Sequence, residues 1–238
     1  MDRRNFVKLG GAVTGAGLIS GCTGGSDGGG WNSGNGEGKG GGGGNRSSDD
    51  TFKNHPATKE VSTRPSLGPD DASAKIVAFE DPSCPKCAKF NLGPFQKIKS
   101  KLIDQGKLQF YYRTITVVYP WGKPAAESLE ATYKTDHDAF WGLKHYYYEN
   151  QLGGGASNED VYSLTRDYLE NETDLDADKI IKEAKNKKYH DRIQENLKAS
   201  KKAGVRGTPS FFLFKNGDFR TKVVGPQSFS VFKNALGE

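Results

Sequence analysis

The sequence predicts an α/β domain whose elements run β-α-β, then a block of helices, then β-β-α. Three observations carry that order. A short apolar run, Ile76 to Phe79, leads into a Cys84-Pro85-Lys86-Cys87 tetrad, which opens a helix-like pattern. The middle stretch, Pro124 to Leu197, is dominated by helical periodicity. Near the end, Asn216-Gly217 separates two strand-like runs and is the strongest short hairpin signal available.

The chain has 238 residues, 26% of them charged, and 31 glycines. Eighteen of those glycines lie in residues 1–50, so composition changes sharply near position 50. The remainder, roughly 170–190 residues, suits one domain with its own core. Net charge is +5, and residues 1–50 hold five basic and five acidic side chains, so the excess belongs to the folded part. No dense Lys/Arg block with interleaved aromatics stands out, which argues against a nucleic-acid partner.

Residues 1–22 read as an export signal. Arg3-Arg4-Asn5-Phe6-Val7-Lys8 resembles the twin-arginine pattern, with Asp2 where Ser or Thr is usual. A weakly apolar run follows, too short and glycine-rich to span a bilayer. Ile19-Ser20-Gly21-Cys22 then resembles a lipobox, which implies a lipid on Cys22 and an exported protein anchored to the outer face of the cytoplasmic membrane. The plainer alternative is a tail with an incidental cysteine. If Cys22 carries lipid, the odd count of three cysteines resolves into one pair, Cys84 and Cys87, in a compartment where disulfides persist.

Residues 23–65 are expected to be a disordered tether and polar lead-in. The Gly-rich part, Thr23 to Asp50, cannot bury enough apolar surface to offset its ordering entropy. As a flexible coil it has an r.m.s. span of roughly 30 Å. Asn45 and Asn171 head glycosylation sequons by pattern.

The domain is expected over 66–238. Lys75 to Glu80 reads as a strand, and Cys84 to Gln105 as a helix kinked at Gly93-Pro94. Lys107 to Val118, rich in aromatic and β-branched residues, reads as the next strand. Helices are expected over Ala125–Tyr133, Ala139–Asn150, Glu159–Leu169 and Ala177 to about Ala203, with Asp138 and Asp176 as N-caps. Trp141, Tyr146, Tyr147 and Tyr148 read as packing residues rather than a ligand box. Ser210–Lys215 and Phe219–Val224 form the hairpin, and Ser228–Leu236 closes the chain as a helix.

A Cys-x-x-Cys pair at a helix start places two sulfurs one turn apart. Cys84 lies by the unpaired N–H groups of the first turn, which favour its thiolate. Pro85 fits that turn because it has no N–H to leave unpaired, and Lys86 adds positive charge. A structural staple across so short a loop gains little. Zinc needs four ligands, and His55, His137, His145 and His190 lack ligand-like spacing. A copper site remains an alternative, though Met1 is the single methionine. No metal and no cofactor beyond the Cys84–Cys87 disulfide is expected.

The dithiol, taken with Gly207-Thr208-Pro209-Ser210 at the head of a later strand, resembles the thioredoxin fold and its DsbA-like branch. The resemblance covers about 66–238 and implies a helical insertion, about 124–203, between the β-α-β and β-β-α halves. It implies a redox-active Cys84–Cys87 pair and a cis peptide before Pro209, with Thr208 pairing an extended substrate segment. Asp81, three residues before Cys84, also fits. A departure stands at Ala78, where the family often has a buried acid; Glu80 and Asp81 are the nearest acids, and alternation alone does not say which can reach Cys87.

The expected function is therefore an extracytoplasmic thiol-disulfide oxidoreductase that forms disulfides in thiol-bearing exported proteins. The resemblance implies a membrane redox partner and a monomer. A reductase or isomerase of the same fold, or a non-catalytic lipoprotein that binds metal or client chains, remain the alternatives.

Overall fold

The computed structural model describes residues 50–238. The export signal, Cys22, Asn45 and the Gly-rich tether lie outside the described residues. Five strands form one sheet: β1 (Ser66–Leu67), β2 (Ala74–Glu80), β3 (Leu108–Thr114), β4 (Ser210–Lys215) and β5 (Asp218–Val224), in the order β1-β3-β2-β4-β5. β2 and β3 run parallel; the other neighbours are antiparallel. This is the thioredoxin arrangement, and the helices between β3 and β4 are the expected insertion.

Strand alternation divides the core in two. Ala74, Ile76 and Ala78 of β2 face one layer with Phe110 and Tyr112 of β3 and Phe211 and Leu213 of β4. Val77 and Phe79 face the other with Tyr111, Phe212 and Phe214. The first layer is covered by α1 (Pro85–Leu92), α2 (Pro94–Ile98), α3 (Gly122–Thr135), α4 (His137–Glu149) and the closing α8 (Phe229–Leu236). The insertion continues with α5 (Asn158–Glu172), α6 (Ala177–Lys185) and α7 (His190–Lys202); α7 brings Ala199 to the second layer. Gly93 separates α1 from α2, as its position before Pro94 predicts. A π-type turn, Lys99–Ile103, completes that helical run.

Asn216 (φ 52°) and Gly217 (φ 83°) both take the left-handed conformation that a tight hairpin requires. Three expectations need correction. The N-cap of α4 is Asp136, not Asp138: its carboxylate accepts from Ala139 N at 2.7 Å, and Asp138 falls inside the first turn. The helix expected over 177–203 breaks in two, because Lys187 adopts φ 52° and Tyr189 becomes the flank of α7. Asp176 does cap α6, accepting from Lys179 N at 2.9 Å.

The third correction concerns residues 50–65, which belong to the fold rather than to a disordered lead-in. Thr51 bridges Asp218 at the edge of the sheet, and Phe52 packs edge-on against Phe214. Short 3-10 turns at Pro56–Thr58 and Val61–Thr63 bury Ala57 and Val61 in the second layer. Polar contacts fix the segment: Arg113 donates to the Ala57 and Lys59 carbonyls at 2.9 and 2.8 Å, and the fully buried Arg64 side chain pairs with Glu195. The segment reads as polar because its anchoring is by hydrogen bonds as much as by apolar burial. Among the described residues no helix is long and apolar enough to cross a membrane.

Deleting residues 50–65 from the full chain removes this cover from Val77, Phe79 and Phe212. Burial of a few apolar side chains sets the expected loss at about 3 kcal/mol, a fall in Tm of about 6–12 °C by thermal unfolding. An unchanged Tm would contradict the assignment of this segment to the fold.

Candidate active site

The register of the central strands assembles the site. Phe79 of β2 pairs with Ser210 of β4, so the turn that follows β2 meets the turn that precedes β4. The first turn carries Cys84, the N-cap of α1, with Pro85 at the first helical position. The second carries Thr208-Pro209, whose peptide bond is cis. The Cys84 thiol points at the Thr208 carbonyl, with Sγ and O 3.5 Å apart. Residues 124 positions apart in sequence thus share one site.

Both sulfurs are free thiols. Cys84 is 4% exposed, yet it lines a groove of about 580 Å³. Its pKa is lowered from 9.0 to about 6. The largest cause is the Cys87 thiol, which hydrogen-bonds to it; burial acts against the shift. The Thr208 side chain and the backbone N–H groups of Cys87 and Lys86 add to the lowering. Lys86 thus acts through its backbone; its exposed ammonium is not among the causes. Among the described residues the buried Thr208 hydroxyl makes no other hydrogen bond.

Cys87 is the opposite case. It is fully buried, and burial raises its pKa well above 9.0, with its own hydrogen bond to Cys84 and the charge of Glu80 adding to the rise. The two thiols therefore hold their protons very differently, which is the asymmetry that exchange chemistry requires.

Strand alternation now separates the two nearby acids. Glu80 lies on the same face of β2 as Ala78, two residues farther along, toward the dithiol. It is fully buried, and burial raises its pKa against the opposing effects of Lys144 and a hydrogen bond from Tyr148. Tyr148 Oη donates to Glu80 Oε2 at 2.9 Å and lies 3.3 Å from Tyr112 Oη. Among the described residues Glu80 Oε1 has no hydrogen-bond partner. Asp81 does different work. Its carboxylate accepts from Ser83 N, Ser83 Oγ, Val117 N and Val118 N at 2.6–2.9 Å, and so ties the loop after β3 to the dithiol turn. Gly122 lets the start of α3 come close: a Cβ there would stand 2.6 Å from the Asp81 carboxylate.

Lys144 is the residue that the sequence did not single out. It is 2% exposed, and its ammonium sits 4.7–5.3 Å from the ring centroids of Phe95, Tyr112, Trp141 and Tyr148. Among the described residues no carboxylate lies within ion-pair distance of it. Burial lowers its pKa, and the charges of Glu80 and Cys87 oppose that lowering. The aromatic run of α4 is packing, as expected, but it packs around a cation. A lysine between Leu143 and aromatic neighbours on a buried helix face was the available signal. Among the described residues no group of three His, Cys, Asp or Glu side chains is arranged to hold a metal ion.

The family described as Thioredoxin matches residues 60–236. The chain belongs to the thioredoxin family. The protein of Bacillus cereus named "Probable disulfide bond formation protein D" is 30% identical over 158 residues, covering 65% of this chain and 72% of that protein. Among solved structures, oxidised BdbD from Bacillus subtilis superposes with a TM-score of 0.66 at 22% identity, covering 75% of this chain and 95% of that chain. DsbA of Chlamydia trachomatis gives a TM-score of 0.62 at 18% identity, covering 74% and 90%. Within the thioredoxin family the chain is a DsbA-like thiol-disulfide oxidoreductase.

The Cys84 pKa makes a direct prediction for the reduced protein. Alkylation of Cys84 should titrate with a midpoint near 6, and Cys87 should stay unmodified. Because the Cys87 thiol is the largest cause, Cys87→Ala should move that midpoint upward, measured by thiolate absorbance against pH. An unmoved midpoint would assign the lowering to the helix terminus instead.

Proposed function

We propose that the protein forms disulfides in thiol-bearing proteins outside the cytoplasm, by exchange through Cys84–Cys87. The observation that carries this direction is the depressed pKa of Cys84 beside a Cys87 whose pKa is raised. A thiolate stabilised in the reduced state makes the disulfide a better oxidant. The sign follows from linkage: a pKa lowered from 9.0 to about 6 favours the reduced form fully above 9, and the benefit is lost as pH falls through 6. At pH 7, discounted for solvent at the groove mouth, it is on the order of 1 kcal/mol.

In the forward reaction a client thiolate attacks Cys84 of the oxidised pair. The Cys84–Cys87 bond breaks, a client–Cys84 disulfide forms, and the electron pair leaves on Cys87. Cys87 holds a proton strongly, so it takes one up, and Glu80 is placed to supply it. A second client thiolate then attacks the client sulfur and releases Cys84 as a stabilised thiolate. Two electrons have passed to the protein, and a membrane redox partner must remove them. The disulfide is the only redox group this route uses.

Glu80 supports this role because it occupies the face of β2 that Ala78 leaves without an acid. Burial raises the Glu80 pKa, which favours the proton-bearing form that this role needs, and the Lys144 charge opposes that rise. The Thr208 backbone beside cis Pro209 suits pairing with an extended client segment. Twin arginines at Arg3-Arg4 and a lipid on Cys22 would place the domain outside the membrane on its Gly-rich tether.

Two experiments test these roles. Cys87→Ser should accumulate mixed disulfides with client thiols and Cys84→Ser should not; the reverse pattern would overturn the assignment. Glu80→Gln keeps the shape and the bond from Tyr148 but cannot supply a proton. It should slow reduction of the disulfide near pH 7 by about 100-fold, the lower end of general-acid effects, and flatten its pH profile. An unchanged rate and profile would remove Glu80 from the proton path.

A further inference from the structure

The groove beside Cys84 has a composition that exchange chemistry alone does not require. One wall is apolar and open: Val117 is 56% exposed and Val118 41%, with Val205 facing the same space. Every charged side chain that lines it, Lys86, Lys201 and Arg206, is a cation. Among the described residues none of the three has an ion-pair partner. Nor is the field neutralised behind the rim. Lys222 stands close enough to Arg206 that, after burial, the arginine's charge is what holds the lysine's pKa down.

Three unpaired cations around an apolar slot fit one kind of occupant. We propose that the groove selects extended, cysteine-bearing polypeptide segments with acidic residues flanking the cysteine. This rests on the exchange reading above and names its client class. The client backbone would lie along Gly207-Thr208, its apolar neighbours would cover Val117, Val118 and Val205, and its carboxylates would meet Lys86, Lys201 and Arg206. The groove also answers a chemical difficulty of such clients. Carboxylates beside a thiol disfavour its thiolate, which slows attack on any disulfide in free solution. Cations at the groove rim favour that thiolate where it must react and draw the segment in.

The test uses the oxidised full-length chain and three single-cysteine peptides that differ only in flanking residues: acidic, serine or basic. Reduction of the Cys84–Cys87 disulfide is timed for each. Each rate is divided by the same peptide's rate with a neutral small-molecule disulfide, which removes intrinsic thiol reactivity. At low salt the normalised rate for the acidic peptide should exceed that for the basic one by about 10-fold or more. Near 1 M salt, where the Debye length is about 3 Å, the three should converge. The double variant Lys201→Glu/Arg206→Glu should reverse the order, whereas Lys179→Glu/Lys182→Glu, which changes net charge equally on the remote α6, should not.

Equal normalised rates for acidic and basic peptides at low salt would overturn the proposal and leave the exchange reading standing. So would an order that survives Lys201→Glu/Arg206→Glu. Failure of all three peptides to reduce the disulfide would overturn the exchange reading, and this proposal with it.

Discussion

The pairing of Phe79 with Ser210 is the constraint on which the site depends. Neither half of the site is chemically complete. A Cys-x-x-Cys at a helix start is compatible with a metal, a staple or a redox pair, and a Thr-Pro before a strand is an ordinary turn. Antiparallel pairing of β2 with β4 brings the two turns together and aims Cys84 Sγ at the Thr208 carbonyl. A register shift of one residue would turn the side chains of β4 to the opposite face. Phe211 and Leu213 would leave the first core layer, and Thr208 would no longer stand where it does. Core packing and active-site geometry are therefore enforced by the same ladder.

Beneath the dithiol lies a group of buried polar side chains that a purely apolar core would omit. Glu80, Tyr148, Tyr112 and Lys144 are all removed from solvent. Burying a carboxylate and an ammonium is costly unless each compensates the other. Here the compensation is shared among the Tyr148 hydrogen bond, four ring faces around Lys144 and mutual attraction across the site. Among the described residues the arrangement leaves Glu80 Oε1 without a hydrogen-bond partner, and the Glu80 charge helps to raise the Cys87 pKa. The resemblance places an acid at Ala78, and period-2 alternation keeps Glu80 on that same face of β2. An acid moved by two residues stays on the same face; one moved by three, as Asp81 is, does not.

The parts legible in the sequence were those with local causes. The dithiol turn, the Asn216-Gly217 hairpin and the closing helix follow from residue types whose backbone preferences are strong and short-ranged. The helical insertion followed from periodicity, but its interior boundaries did not. No glycine or proline marks the break at Lys187, and Asp136 and Asp138 are equally good caps until the end of α3 is known. The packing of 50–65 was hidden because its anchors, Arg64 and Arg113, look like surface residues until their partners on α7 and in the lead-in are in place. Lys144 was hidden for the same reason. A buried cation is visible only when the rings that surround it come from α2, β3 and α4 together.

Whether the Cys84–Cys87 pair runs as an oxidant is decided by its reduction potential at pH 7. Equilibration of the Cys84–Cys87 pair with a glutathione buffer gives the value. A potential above about −200 mV, in the range of oxidising thioredoxin-fold proteins, is expected because a stabilised Cys84 thiolate favours the reduced state. A value near −270 mV, typical of reducing thioredoxins, would contradict it.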